Sequence, residues 1–244
     1  MRMVYRSMLA PLIGLALAGT AIAGPLEDGV AAEARGDFVA AAQAFRIAAD
    51  QGNAKAQYSL AFLYSVGGGV ALDKAEAVKW YRRAATQGHA PAQKNLGTMY
   101  EKGKGVAINY AQARHWYRLA AAQGDANAQN KLGEMAYAGK GLVANAAEAL
   151  RWYRLAAAQG NPDAQYNVGL MYDAGKGVAK NPAEALKWYR LAAAQFYGPG
   201  LYNLGLMHDS GRDGVAKDPV EALKWYRLAA AQGDARAKAK LVGR

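Results

Sequence analysis

The chain has 244 residues, 52% of them hydrophobic and 20% charged, enough for one large folded unit or two small ones. It contains no cysteine, which excludes disulfide frameworks, CxxC zinc clusters, thiolate nucleophiles and a lipid-modified amino-terminal cysteine. With 30 basic against 19 acidic residues the formal charge is +11, a balance that suits nucleic acid, an anionic membrane or an acidic partner until the charges are placed.

Residues 1–23 read as a signal peptide. Arg2 and Arg6 make a positive start, and Met8 to Ala18 form an apolar stretch broken only by Pro11 and Gly14. Ala21-Ile22-Ala23 supplies the small-x-small pattern that a signal peptidase accepts, so cleavage is expected after Ala23. An uncleaved anchor would need about 20 apolar residues, more than this stretch offers. The mature chain then carries 28 basic and 19 acidic residues, a formal +9. No later segment is apolar enough to span a bilayer, and the expected location is the periplasm or the medium.

A degenerate half-repeat follows over residues 24–52, with Ala44 where the later units carry tryptophan. From there self-similarity governs the chain. Trp80, Trp116, Trp152, Trp188 and Trp225 recur at spacings of 36, 36, 36 and 37. Gly52, Gly88, Gly124, Gly160 and Gly233 keep the same beat, with Phe196 in the slot where a glycine was due. Five units span 53–88, 89–124, 125–160, 161–196 and 197–233, and a basic tail closes the chain over 234–244.

Each unit predicts two helices. The first opens near an Asn, His or Asp, carries apolar residues at helical spacing (Ala128, Leu132, Met135) and stops at a Gly-x-Gly pair such as Gly139 and Gly141. The second opens at Asp73, Asn109, Asn145, Asn181 or Asp218, followed in two units by Pro182 or Pro219. It runs as Ala-x-x-Trp-Tyr-x-x-Ala-Ala, with small residues one turn from the indole so that neighbours can approach. Helix pairs of this kind cannot bury their own faces and must stack into a superhelix. The pattern LGxMYxxGKGVxxNxxEAxxWYRLAAAQG resembles the Sel1-like repeat, a relative of the tetratricopeptide repeat, over about four-fifths of the chain. That resemblance implies an all-α fold, a right-handed α/α solenoid that recruits or scaffolds other proteins. It also implies membership of a group whose bacterial members are often exported.

Catalytic groups are scarce. His89, His115 and His208 each substitute a repeat position, and no two histidines have metal-ligand spacing, so no metal or other cofactor is expected. Gly133 to Lys140 and Gly169 to Lys176 superficially resemble phosphate-binding loops. The count between glycine and Gly-Lys is five instead of four, glycine follows each lysine, and the glycines lie on a helix, not after a strand. They read as helix stops. Glu148, Arg151 and Arg154, with their equivalents in the other units, are expected to form a short charge ladder on the second helix. Its alternative reading is a cationic ridge. Acidic residues interleave with the basic ones and the aromatics sit in packing columns, so nucleic acid is not expected. The column Leu63, Met99, Met135, Met171 and Met207 reads as core.

In a solenoid the shared positions build the fold and the unshared ones meet partners. The expected partner-binding positions are Tyr58, Phe62, Asn95, Thr98, Lys131, Glu134, Tyr166, Asn167, Tyr202 and Asn203, on first helices that line the concave side in repeats of this kind. Some of these aromatics could instead pack against the next unit. Phe196-Tyr197-Gly198-Pro199-Gly200 breaks the pattern between the fourth and fifth units, and is expected to shorten the next helix. The leading expectation is a monomeric, non-enzymatic, exported adaptor for a protein or peptide. The alternative is a cell-envelope binder or hydrolase of a wall-derived or β-lactam-like molecule.

Overall fold

The computed structural model describes residues 24–211 and 214–242; residues 1–23, on which the expected signal peptide falls, Arg212, Asp213 and the last two residues lie outside them. Among the described residues there are thirteen helices and no strand. A first pair, α1 (Pro25–Ala34) and α2 (Phe38–Asp50), precedes the units. The units then contribute α3 (Ala54–Val66) and α4 (Lys74–Thr86), α5 (Ala90–Lys102) and α6 (Tyr110–Ala122), and α7 (Ala126–Ala138) and α8 (Ala146–Ala158). They continue with α9 (Pro162–Ala174) and α10 (Pro182–Ala194), then α11 (Gly198–Ser210) and α12 (Pro219–Ala231). A short α13 (Ala235–Val242) ends the described chain. Each helix packs on the one before and the one after it, the nearest-neighbour stacking of an α/α solenoid. No helix among these residues is long and apolar enough to cross a membrane.

Local chemistry sets the helix ends. Asn53, His89, Asp125 and Asn161 accept from the backbone N–H three residues on, at 2.8–3.3 Å, and so satisfy one orphan donor of α3, α5, α7 and α9. Asp73, Asn109, Asn145, Asn181 and Asp218 do the same for the second helices. The first glycine of each Gly-x-Gly pair takes left-handed backbone, as Gly139 does at φ +67°.

Phe196 adopts the same left-handed turn, at φ +56°, as the glycines that close the other second helices. Because it does, the expected shortening of the next helix does not occur: α11 has the same 13 residues as its counterparts. Pro199 sits in the first turn, where no intrahelical partner for an N–H is required. Gly200 passes so close to α10 that a Cβ there would stand 2.9 Å from the Ala192 methyl.

The tyrosine beside each tryptophan, not the tryptophan, is the hub of the core. Tyr81, Tyr117, Tyr153, Tyr189 and Tyr226 are all buried, whereas of the tryptophans only Trp80 and Trp116 are buried and Trp152, Trp188 and Trp225 are half-buried. Gly97, Gly133, Gly169 and Gly205 on the first helices make room for the last four rings. A Cβ at any of them would lie 2.6–2.8 Å from the tyrosine ring. The column from Leu63 through Met99, Met135 and Met171 to Met207 is buried beside it, as core.

Successive units are pinned by a buried glutamine seam. Gln57, Gln93, Gln129 and Gln165 each donate to the carbonyl eight residues back, and each accepts 2.8 Å from the glutamine 30 residues on (Gln87, Gln123, Gln159, Gln195). In the fifth unit Leu201 takes this place and is buried.

The expected charge ladder forms only in part. Lys79, Lys187 and Lys224 pair with Glu76, Glu184 and Glu221 at 2.8–2.9 Å, at exposed positions where such pairs add only tenths of a kcal/mol. Glu148 instead meets the Trp152 indole N–H at 3.4 Å. The arginines leave the ladder. Arg82 donates to the Tyr100 hydroxyl at 2.7 Å, and Arg46 and Arg154 donate to those of Tyr64 and Tyr172, so each bridges to the helix that follows.

Candidate partner-binding face

The partner positions expected from sequence lie on α3, α5, α7, α9 and α11, and clefts open between these helices. Phe62, Asn95 and Thr98 line one of about 240 Å³ between α3 and α5, over the Tyr81 ring. Asn167 and Leu170 line a second of about 270 Å³, together with Tyr137, Tyr153 and Lys176. Tyr58 borders a third, larger and mostly apolar cleft of about 620 Å³ against Leu26 and Val30 of α1. Phe62 is 44% exposed and Leu170 38%.

The aromatics divide their surface between scaffold and solvent. Tyr58, Tyr166 and Tyr202 are half-buried, each tilted against the hub tyrosine of its own unit with ring centres 5.6–5.9 Å apart. Tyr58 also lies 4.9 Å from the His89 ring, and the Arg236 guanidinium covers Tyr202 at 4.3 Å. Burial, with Lys55 nearby, pushes the His89 pKa below its usual value. Asn95 donates to the Tyr81 hydroxyl at 3.2 Å, and the Thr98 and Tyr117 hydroxyls are hydrogen-bonded at 3.0 Å. Asn203 is buried and offers little surface to a partner.

The centre of the face is polar. Asn167 donates to Asn130 at 3.1 Å, Asn130 donates to Glu134 at 2.9 Å, and Lys131 pairs with Glu134 at 2.6 Å. The face therefore runs from an aromatic end at Tyr58, through an amide and charge network, to a second aromatic end at Tyr166, Tyr197 and Tyr202.

Another column escaped the sequence reading. Position 65 and its equivalents, Ser65, Glu101, Tyr137, Asp173 and Asp209, lie over the hub tyrosines. The Glu101 carboxylate, with a side chain only 5% exposed, accepts from the Tyr117 hydroxyl at 2.9 Å and from Lys140 at 2.8 Å. Burial raises the Glu101 pKa, but those two hydrogen bonds and the Lys140 charge outweigh it and hold the group below the usual carboxylate range. Lys140 belongs to the Gly-Lys-Gly loop of the following unit, 39 residues away, and Lys176 reaches the Tyr137 hydroxyl over the same separation at 2.6 Å. The loops that looked like simple helix stops thus carry a lysine clasp onto the preceding unit. The lysine that follows the first glycine of the pair was the available signal.

The Sel1 repeat model matches residues 54–89, 90–125, 126–161, 162–195 and 198–234. The chain belongs to the Sel1-repeat family. Among solved structures, a Sel1 repeat protein from Oxalobacter formigenes is similar at 36% identity, over 88% of this chain and 85% of that one, with a TM-score of 0.83. A protective antigen present in uropathogenic Escherichia coli strains, displaying an SLR fold, is 34% identical over 89% of this chain, which spans 56% of that protein, at a TM-score of 0.63. A Pseudomonas aeruginosa protein, 5086, is 26% identical over 75% of this chain and 67% of its own, at a TM-score of 0.51. No curated protein matches the chain. Sel1-repeat proteins generally mediate protein–protein interaction and are typically non-catalytic scaffolds.

Proposed function

We propose that the mature chain is an exported, monomeric adaptor that holds a protein or peptide partner along the concave groove of the superhelix. The observation that carries this reading is the row of clefts between successive first helices, bordered by half-exposed Tyr58, Phe62 and Leu170. Large apolar and aromatic side chains spaced along polar surface are how protein interfaces concentrate their binding energy. Export rests on residues 1–23, and a periplasmic or secreted partner follows from it.

Crosslinking capture from periplasmic extract tests the proposal. The mature protein is compared with a double variant, Phe62→Ala and Leu170→Ala, of matched helicity. A partner enriched by the first and at least tenfold less by the second supports the groove. Equal capture by both would move the interface elsewhere, and a precursor that stays uncleaved in the cytoplasm would refute export.

A further inference from the structure

The hub tyrosines meet different groups along the array, and the differences follow the column above them. In the second unit the Tyr117 hydroxyl and the Lys140 ammonium hold the Glu101 carboxylate between them, at 2.9 and 2.8 Å. In the fourth and fifth units, carboxylates again accept from the hub, Asp173 from Tyr189 at 3.4 Å and Asp209 from Tyr226 at 3.2 Å. The third unit departs from this. Its column residue is Tyr137, which is neutral and 40% exposed, and whose hydroxyl accepts from Lys176. Among the described residues nothing hydrogen-bonds the Tyr153 hydroxyl, although Tyr153 is only 4% exposed. It borders the cleft of about 270 Å³ whose walls are Leu170, Met171 and Ala174 and whose rim carries Asn167 and Lys176.

We propose that this cleft is a carboxylate subsite, in which the Tyr153 hydroxyl and the Lys176 ammonium receive from outside the chain the acid that Glu101 supplies from within in the preceding unit. The donor pair is the same in both places: a hub hydroxyl and the lysine of the next Gly-Lys-Gly loop. Lys176 has three N–H bonds and spends one on Tyr137, which holds the ammonium at the rim. The Tyr153 hydroxyl opens on this cleft, and a charge-assisted bond to a carboxylate is stronger than the neutral bond to water that it replaces. The nearby Glu134 does not oppose an incoming acid with a bare charge, because Lys131 pairs with it at 2.6 Å and Asn130 donates to it. The mature chain's formal +9 favours acidic ligands at long range. The acid is either a Glu or Asp side chain or a chain terminus of the partner. The subsite rests on the adaptor reading only for who supplies it.

The test is a titration of mature protein carrying ¹³C in its tyrosine rings, read by NMR at Tyr137 and Tyr153. Three probes are used: N-acetylglutamate N-methylamide, with a side-chain acid only; N-acetylalanine, with a terminal acid only; and N-acetylglutamine N-methylamide, with neither. At least one acid is expected to saturate with a Kd of about 1 mM, the order reached by ligands of this size, and the amide to bind at least tenfold more weakly. The tighter of the two acids identifies the source. Tyr137→Glu, which recreates the Glu101 arrangement in cis, is expected to keep native helicity and abolish binding. Lys176→Ala, at an exposed loop position, is expected to weaken it at least tenfold. Equal binding of acid and amide, no saturable shift with either acid, or full binding by folded Lys176→Ala would each overturn the subsite. A partner captured from extract together with a silent titration would leave the adaptor standing and remove the subsite.

Discussion

His89 is the one histidine among the capping residues of the first helices. Its Nδ1 accepts from the Ala92 N–H, so the neutral ring serves as the cap, and a proton on that nitrogen would both break the bond and set a positive charge at a helix N-terminus. Burial among Tyr58 and its neighbours, with Lys55 close by, already lowers the folded pKa. The unfolded ring titrates near 6.5, so between the two values the unfolded chain binds more protons. The contribution is fully present above about pH 6.5 and is lost as the pH falls towards the folded value. Thermal melts of the wild type and of His89→Asn, which installs the cap used by Asn53 and Asn161, are expected to diverge between pH 7 and pH 5, with the wild type losing more. Parallel melts across that range would show that the cap does not depend on a neutral imidazole.

At the scale of the helix pair, the glutamine seam gives the clearest measure of what joins one unit to the next. Gln129 makes a buried bond to the Ala121 carbonyl and a part-buried one from Gln159, each worth about 1 kcal/mol net. Gln129→Ala is therefore expected to cost about 2 kcal/mol in urea unfolding, with Gln129→Leu, the residue present at Leu201, recovering part through its volume. A neutral Gln129→Ala would mean the seam is decoration. The seam was not legible in the sequence, although the glutamines recur in register, because its bonds join residues 30 apart and a periodic amide reads equally well as a helix-end residue. Caps and glycine turns were legible, since their chemistry is complete within four residues. Tryptophan and tyrosine recur side by side, so periodicity alone could not say which of them sits against Gly133. The Gly-Pro-Gly at the last junction misled for a related reason: it has the composition of a breaker but occupies a first turn, where proline is tolerated and α10 leaves no room for a methyl group at Gly200. Of the candidate face, the column of Phe62, Thr98 and Leu170 and that of Asn95 and Asn167 could be found by variability, whereas the Tyr153 cleft needed a comparison of equivalent positions in space.

For the whole molecule, nearest-neighbour stacking means that damage stays local. Gly133→Val places a branched side chain where even a Cβ would stand 2.6 Å from the Tyr153 ring, deep in the third unit. Native-state hydrogen exchange is expected to show protection lost through α7, α8 and their immediate neighbours while α3 and α4 keep theirs. A uniform loss from end to end would show one cooperative block instead of a chain of coupled units.

The lysine clasps give the array a direction. Lys140 closes over Glu101 and Lys176 over Tyr137, always from the later unit to the earlier. A chain that emerges amino terminus first therefore leaves the second and third units unlatched until 39 more residues have followed Glu101 or Tyr137. For those two units the last side-chain latch closes a full repeat behind synthesis or translocation, and the Tyr117 hub gains its lysine-held acid only when the third unit arrives.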